Sequence, residues 1–382
     1  MKASKRIRLI EPVLSNNGKL TPLGEKALCE IEEVLKSGWL TEGDKNREFE
    51  EKFAEYVGAK HAITVCNCTV ALELALRVLG IGPGDEVIVP DFTHPATAQA
   101  VMWAGAEPVL VDVDLYTYNV DIGKLEDAIT ERTKCIIPVS WGGNPINMKP
   151  IRKLKEEYGL YIVEDAACSI GAEYDGEKTG SMADITCFSF HPRKIITTGE
   201  GGMITTDNDE WAEKLRSLKK FGERPVDGKL EFIACGTNFK MSNILAAVGL
   251  VQLEAIDEII DRRIELAESY NQLLAGIEGI RPPMRDEKAK HVYQTYAVYV
   301  EIEGARDVLL KELRAQGIEV QIGTYALHLQ PAFKGVKQAG NLKNSKLLYE
   351  NLLTLPMSHN MTKEDQELVI SNIRDILERL RG

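Results

Sequence analysis

One lysine, one acid and two hydroxyls stand out for the chemistry they could share. Lys194 follows an apolar strand pattern (Ile185, Cys187, Phe188, Phe190), with Ser189 five residues before it and the glycine-rich Gly199-Glu200-Gly201-Gly202 after it. Tyr161-Ile162-Val163-Glu164-Asp165 reads as a buried parallel strand delivering a carboxylate at its C-terminal edge. Adjacent strand side chains point to opposite faces, so only one of Glu164 and Asp165 can serve, and Asp165 is the candidate. Thr69 begins a helical pattern after a short strand, where backbone N–H groups and a hydroxyl suit a phosphate. An amine able to form an imine, an acid placed to protonate a ring nitrogen and hydroxyls near a phosphate are the requirements of pyridoxal phosphate (PLP) chemistry.

Taken singly, each signal has an ordinary reading. A lysine is usually a solvated surface cation, a strand-end aspartate can cap a helix, and serine and threonine cap helices in most proteins. Position separates Lys194 from that background: a desolvated lysine has a lowered pKa and can attack a carbonyl near neutral pH. Glycine-rich alternatives fail, since there is no Walker A sequence and no G-x-G-x-x-G after a strand. Cys66-Asn67-Cys68 has no second close pair and no nearby histidine cluster, so no metal site is expected.

Strand and helix patterns alternate from about residue 60 to residue 220, which predicts an α/β fold with a mainly parallel sheet and helices on both faces. Strands are expected at 61–65, 86–89, 107–111, 134–139 and 160–163, and helices at 69–79, 96–104, 122–129 and 151–158. Ligand sites in such sheets fall at the C-terminal strand ends. Thr69, His94, Asp165 and Lys194 all sit there. A helical pattern from Ser242 to about Leu274 links a large domain, 1–255, to a smaller α+β C-terminal domain, 256–382. Within the latter, strand-like 295–301 and 319–322 flank a helix at 305–316, and Thr362 with Asp365 resembles a capping box opening the last helix.

The 382 residues have room for two domains and a large core. A formal charge of −12 argues against nucleic-acid or membrane-surface partners. No apolar run approaches the ~20 residues that span a bilayer. Seven cysteines, an odd number without secretory features, suggest free thiols in a reducing, cytoplasmic setting.

Asn46-Arg47-Glu48-Phe49-Glu50, Phe53, Ala54 and Gly58 open a series of motifs that continues through Glu164-Asp165-Ala166-Ala167 and Ser189 to Gly202. Gly236-Thr237-Asn238-Phe239-Lys240-Met241-Ser242 and Leu327-His328-Leu329-Gln330-Pro331 complete it. In content and order the chain resembles the DegT/DnrJ/StrS family of nucleotide-sugar aminotransferases. The resemblance implies a fold type I PLP-dependent transferase with a large domain built on a seven-stranded sheet. It also implies a homodimer with active sites at the interface, moving an amino group from glutamate onto a keto sugar. The acceptor would be a 4-keto or 3-keto (deoxy)hexose on a nucleoside diphosphate, in amino-sugar or surface-polysaccharide biosynthesis. On matching positions Lys194 would hold the cofactor covalently and shuttle a proton, Asp165 would pair with the ring nitrogen, and Ala167 would pack on a ring face. Ser189 and Thr69 would hold the phosphate, joined by Asn238 from the partner subunit, and His328 would lie near the sugar-nucleotide.

Three positions depart from the family pattern. Cys68 stands where a glycine usually lets backbone approach the phosphate. His94 replaces a stacking aromatic, and Cys168, a weak donor, stands where glutamine or histidine usually bonds the ring hydroxyl. These departures admit a free keto sugar or cyclitol as the substrate. A PLP-dependent sugar dehydratase is the other alternative, but those enzymes carry histidine in place of the lysine. A non-catalytic protein retaining the fold is a further reading, favoured only if the purified protein held no cofactor.

Overall fold

A computed structural model describes residues 6–16 and 18–381. Two helices, α1 (Pro22–Ser37) and α2 (Asp44–Val57), precede the sheet. Thr21 caps α1 by accepting from the Gly24 N–H, and Pro22 takes the first helical position, where its missing N–H costs nothing. Both helices pack against α7 (Asn243–Glu254).

The central sheet is formed by β1 (His61–Val65), β2 (Glu86–Pro90), β3 (Glu107–Val111), β4 (Thr133–Ile136), β5 (Tyr161–Asp165), β6 (Ile185–Ser189) and β7 (Gly202–Thr206). An eighth strand, β11 (Lys337–Ala339), lies at one edge, giving the order β11-β3-β2-β4-β5-β6-β7-β1. Pairing is parallel from β11 to β6, and only β7 runs against the rest. Seven strands were expected from the resemblance. The eighth is a three-residue Lys-Gln-Ala segment without strand patterning, and the open backbone edge of β3 recruits it. The crossovers are made by α3 (Cys68–Val78), α4 (Pro95–Trp103) and α5 (Met148–Tyr158), while α6 (Asp209–Leu218) follows β7. Val87, Val89, Leu110, Ile137, Val163 and Ile185 lie in one core cluster with α3, and Ile88, Val109, Ile136 and Ile162 in another with α5. Burial on both faces is why these strands read as near-continuous apolar runs.

A hairpin of β8 (Glu223–Val226) and β9 (Lys229–Phe232) projects outward and exposes Leu230 and Phe232. The pattern from Ser242 to Leu274 resolves into two helices, α7 and α8 (Ile256–Leu274), which meet at Ala255 (φ −107°, ψ 13°). Beyond them β10 (Tyr296–Val300) pairs antiparallel with β12 (Leu352–Leu355). Helices α8, α9 (Ala305–Ala315) and α10 (Lys363–Arg381) close a separate apolar core containing Tyr270, Tyr296, Leu309, Leu353 and Ile373. The capping box at the start of α10 is made by two reciprocal bonds, Asp365 N–H to Thr362 Oγ1 and Thr362 N–H to Asp365 Oδ2, each 3.2 Å. No helix among the described residues is long and apolar enough to cross a membrane.

Candidate active site

The C-terminal ends of β1, β5 and β6 and the starts of α3 and α4 converge on a cavity of about 390 Å³. Each part of its wall has a local cause. After β5 the chain turns at once, and the Ala167 N–H bonds back to Asp165 Oδ1 at 3.2 Å. The other carboxylate oxygen accepts from Thr97 Oγ1 of α4 at 2.8 Å. Asp165 is therefore buried yet doubly bonded, as a retained carboxylate must be. Glu164 points to the opposite face, where the Ser140 hydroxyl donates to Oε1 at 2.7 Å and Oε2 finds no hydrogen-bond partner among the described residues. Burial pushes the Glu164 carboxyl up to about 7.

After β6 the chain turns at His191, whose carbonyl accepts from the Lys194 N–H at 2.8 Å. The Lys194 side chain reaches back to the Cys168 sulfur, Nζ to Sγ 3.2 Å. Burial pulls the pKa of this amine down, but Cys168, Asp165 and Cys68 pull it up and the net direction is upward. The lowered value expected from desolvation alone is thus reversed, because all three groups come from segments distant in sequence that close on the lysine only in the fold. Close approach holds Cys168 in place: Gly143 has φ +93°, and a Cβ there would lie 3.0 Å from the Cys168 carbonyl oxygen.

The start of α3 supplies the third element. Asn67 caps it by accepting from the Val70 N–H at 3.0 Å. Cys68 and Thr69 occupy the first two helical positions, where N–H groups lie ahead of the intrahelical ladder. Gly202 packs directly behind them; a Cβ there would fall 2.7 Å from the Asn67 carbonyl carbon and 2.8 Å from the Cys68 nitrogen. Burial pushes the Cys68 thiol well up, so it stays neutral. His94 caps α4, its Nδ1 accepting from the Ala96 N–H at 3.2 Å. Burial, reinforced by Lys194, lowers its pKa, so the ring facing the cavity is neutral.

The cavity thus gathers Cys68, Thr69, His94, Asp165, Ala167, Cys168, Ser189 and Lys194. The other two residues singled out in the sequence lie elsewhere. Asn238 is exposed, pairs in an isolated bridge with Lys220 and accepts from Lys240 Nζ at 2.6 Å. The ring of His328 turns from the cavity to the buried Asp91, with Nδ1 2.6 Å from Oδ2 and the backbone N–H 2.8 Å from Oδ1. That pair pins the short bridge of Tyr325–Ala326 to Phe92–Thr93, which carries Tyr325 and Thr93 into the wall.

Thr97 escaped the sequence reading; a threonine three residues after the His94 cap was its sole trace. Gln294, Tyr325, Met357 and Leu9 also line the cavity and come from segments without any motif.

The residues present fit pyridoxal phosphate. An amine and a bonded carboxylate share one cavity, open helix donors and two hydroxyls offer a phosphate cradle, and Gly202 keeps that cradle clear of a Cβ. Comparison with known proteins points the same way. The profile of the DegT/DnrJ/EryC1/StrS aminotransferase family matches residues 22–374. GDP-perosamine synthase of Caulobacter vibrioides is 42% identical over 333 residues, covering 86% of this chain and 89% of its own. The spore coat polysaccharide biosynthesis protein SpsC of Bacillus subtilis is 37% identical over 371 residues, covering 93% and 95%. The solved PLP form of the Streptococcus pneumoniae putative sugar aminotransferase Spr1654 superposes with a TM-score of 0.90 at 30% identity, covering 98% and 100%.

Proposed function

The chain belongs to the DegT/DnrJ/EryC1/StrS aminotransferase family and is a PLP-dependent aminotransferase, and on that footing we propose that it transfers an amino group from glutamate to a keto sugar carried on a nucleoside diphosphate. The observation that carries this reading is the meeting of Lys194, Asp165 and the open α3 N-terminus in one cavity. Kinship with a GDP-sugar enzyme and a polysaccharide biosynthesis protein supports the acceptor class and a role in surface-polysaccharide assembly.

The cofactor, when bound, supplies the aldehyde carbon and a ring that withdraws electrons from the substrate's reacting carbon. The rest is the work of this chain's side chains. Lys194 is the amine that would hold the cofactor, and its Nζ would carry a proton between the reacting carbons. Asp165, fixed by Thr97 and the Ala167 N–H, would keep the ring nitrogen protonated. The Cys68 and Thr69 N–H groups, the Thr69 hydroxyl and Ser189 would take the phosphate. Ala167 and the neutral His94 ring would border the cofactor, and Cys168 would stand near its ring hydroxyl. In a homodimer Asn238, exposed on this protomer, would complete the phosphate site of its partner. His328 bears on the substrate through the wall it braces rather than through its own ring.

Purified protein should show a band near ~420 nm that borohydride bleaches, with cofactor mass added at Lys194. Glutamate should convert it to a ~330 nm band, and one member of a keto sugar-nucleotide panel should restore it. A protein whose band ignores glutamate and every nucleotide-linked keto sugar would end this reading; restoration by a free keto sugar or cyclitol alone would replace the acceptor.

A further inference from the structure

The cavity wall carries only two full cations among the described residues, Lys194 and Arg193. Lys194 has to gain and lose a proton in turn, so it cannot serve as a standing partner for an anion. Both substrates of the proposed reaction are anions: the amino donor bears a carboxylate on the carbon that loses nitrogen, and the acceptor bears a diphosphate. We propose that Arg193 is the anchor for the amino donor's carboxylate, an inference that rests on the aminotransfer reading above.

Three observations support it. First, Arg193 has no carboxylate within ion-pair distance among the described residues, although Glu200 lines the same cavity. Among the described residues its one side-chain bond is Nη1 to Gln321 Oε1 at 2.7 Å, which leaves most of a five-donor fork unused there. Second, its backbone is held from below. The buried Gln294 donates from Nε2 to the Arg193 carbonyl at 2.7 Å. The Gln294 carbonyl in turn accepts from Arg263 Nη2 at 2.7 Å. Arg263 is itself buried and spends its guanidinium on carbonyls alone, Nε on Tyr293 at 2.9 Å and Nη1 on Met357 at 3.1 Å. Burial lowers its pKa to about 10, which still leaves it charged at neutral pH. An exposed arginine at a cavity mouth does not need such bracing for stability; a planar receptor that must meet a planar anion does.

Third, adjacency selects the anion. Arg193 neighbours the lysine in sequence, and both residues line the same cavity. The donor's carboxylate is one bond from the carbon that Lys194 must reach, whereas the acceptor's diphosphate lies a sugar ring away. A guanidinium fork matches a carboxylate through two parallel bonds.

The test uses the PLP-loaded protein and probes that need no turnover: maleate as the dicarboxylate, and UDP and GDP as the diphosphates. Dissociation constants are read by calorimetry and by the cofactor band, whose retention shows that each variant is folded and loaded. Arg193→Met should weaken maleate roughly 10- to 150-fold, the loss of one charge-assisted pair. Arg193→Lys should fall between, keeping charge without the fork, and nucleoside diphosphate affinity should stay within twofold. Unchanged maleate affinity, or a wild type that binds no dicarboxylate, overturns the proposal. Loss of diphosphate affinity with maleate intact also overturns it and assigns the guanidinium to the acceptor. Failure of glutamate or keto sugar-nucleotide turnover in the wild type would instead count against the aminotransfer reading, and these binding constants are independent of that outcome.

Discussion

Replacing Cys168 by alanine isolates the force that sets the protonation of Lys194. The amine lies 3.2 Å from Sγ, and burial alone would drive its pKa down. The upward direction therefore depends chiefly on the sulfur, with Asp165 and Cys68 helping. A hydrogen bond to a charged group contributes about 1.5–3 kcal/mol. Sulfur is a soft acceptor, so the low end applies, and about 1.4 kcal/mol is a factor of ten in a protonation equilibrium. Cofactor-free Cys168→Ala should accordingly hold about ten times more free amine at any pH below its midpoint. It should capture PLP about that much faster near neutrality. Reductive methylation of cofactor-free protein across a pH series, read by mass on the peptide containing Lys194, measures the midpoint directly. It should move down in Cys168→Ala and stay near the wild-type value in Cys168→Ser, which keeps an acceptor. An unmoved or raised midpoint in the alanine variant would refute the argument, because the sulfur would then not be what holds the amine's pKa up against burial.

Gly202→Ala should force β7 away from the start of α3, since its Cβ meets Asn67 and Cys68 backbone inside 3.0 Å. A stability loss of about 1–3 kcal/mol in urea titration and weaker PLP retention in dialysis are expected. Glu164→Gln tests the buried acid behind the site. The folded-state pKa of Glu164 is raised to about 7, so the native state holds an extra proton between the ordinary carboxylate range and pH 7. The wild type should lose stability as pH rises through that window and level off above it, by about 3 kcal/mol in all. The glutamine variant should lack this slope, matching wild type near pH 4 and exceeding it at pH 8; parallel melting curves would dismiss the assignment.

The chemistry-bearing half of the site was readable because it is written in contiguous stretches. Strand ends announce Asp165 and Ser189 through apolar runs that stop abruptly, and Lys194 sits inside a turn flanked by glycines. The opposite wall was not readable. Gln294 and Met357 reach the cavity from loops and Tyr325 from a two-residue bridge, none with any periodicity in its sequence, and only tertiary packing brings them there. The raised Lys194 had the same origin: its neighbour Cys168 is visible as a residue, but a 3.2 Å contact is not. The ring of His328 follows a different partner from the one its motif suggests, because Asp91, buried at the end of β2, needs its charge compensated more than the cavity needs a donor. The break at Ala255 has neither proline nor glycine to announce it, so the sequence could offer only one long helix.

Because β11 comes from so late in the chain, β3 remains an unpaired border while the polypeptide is being made. Its row of amides and carbonyls stays available to any passing strand until most of the chain has left the ribosome. Fragments that stop short of Lys337 should therefore clump even though seven strands and the cavity-lining residues at the ends of β1, β5 and β6 are already present.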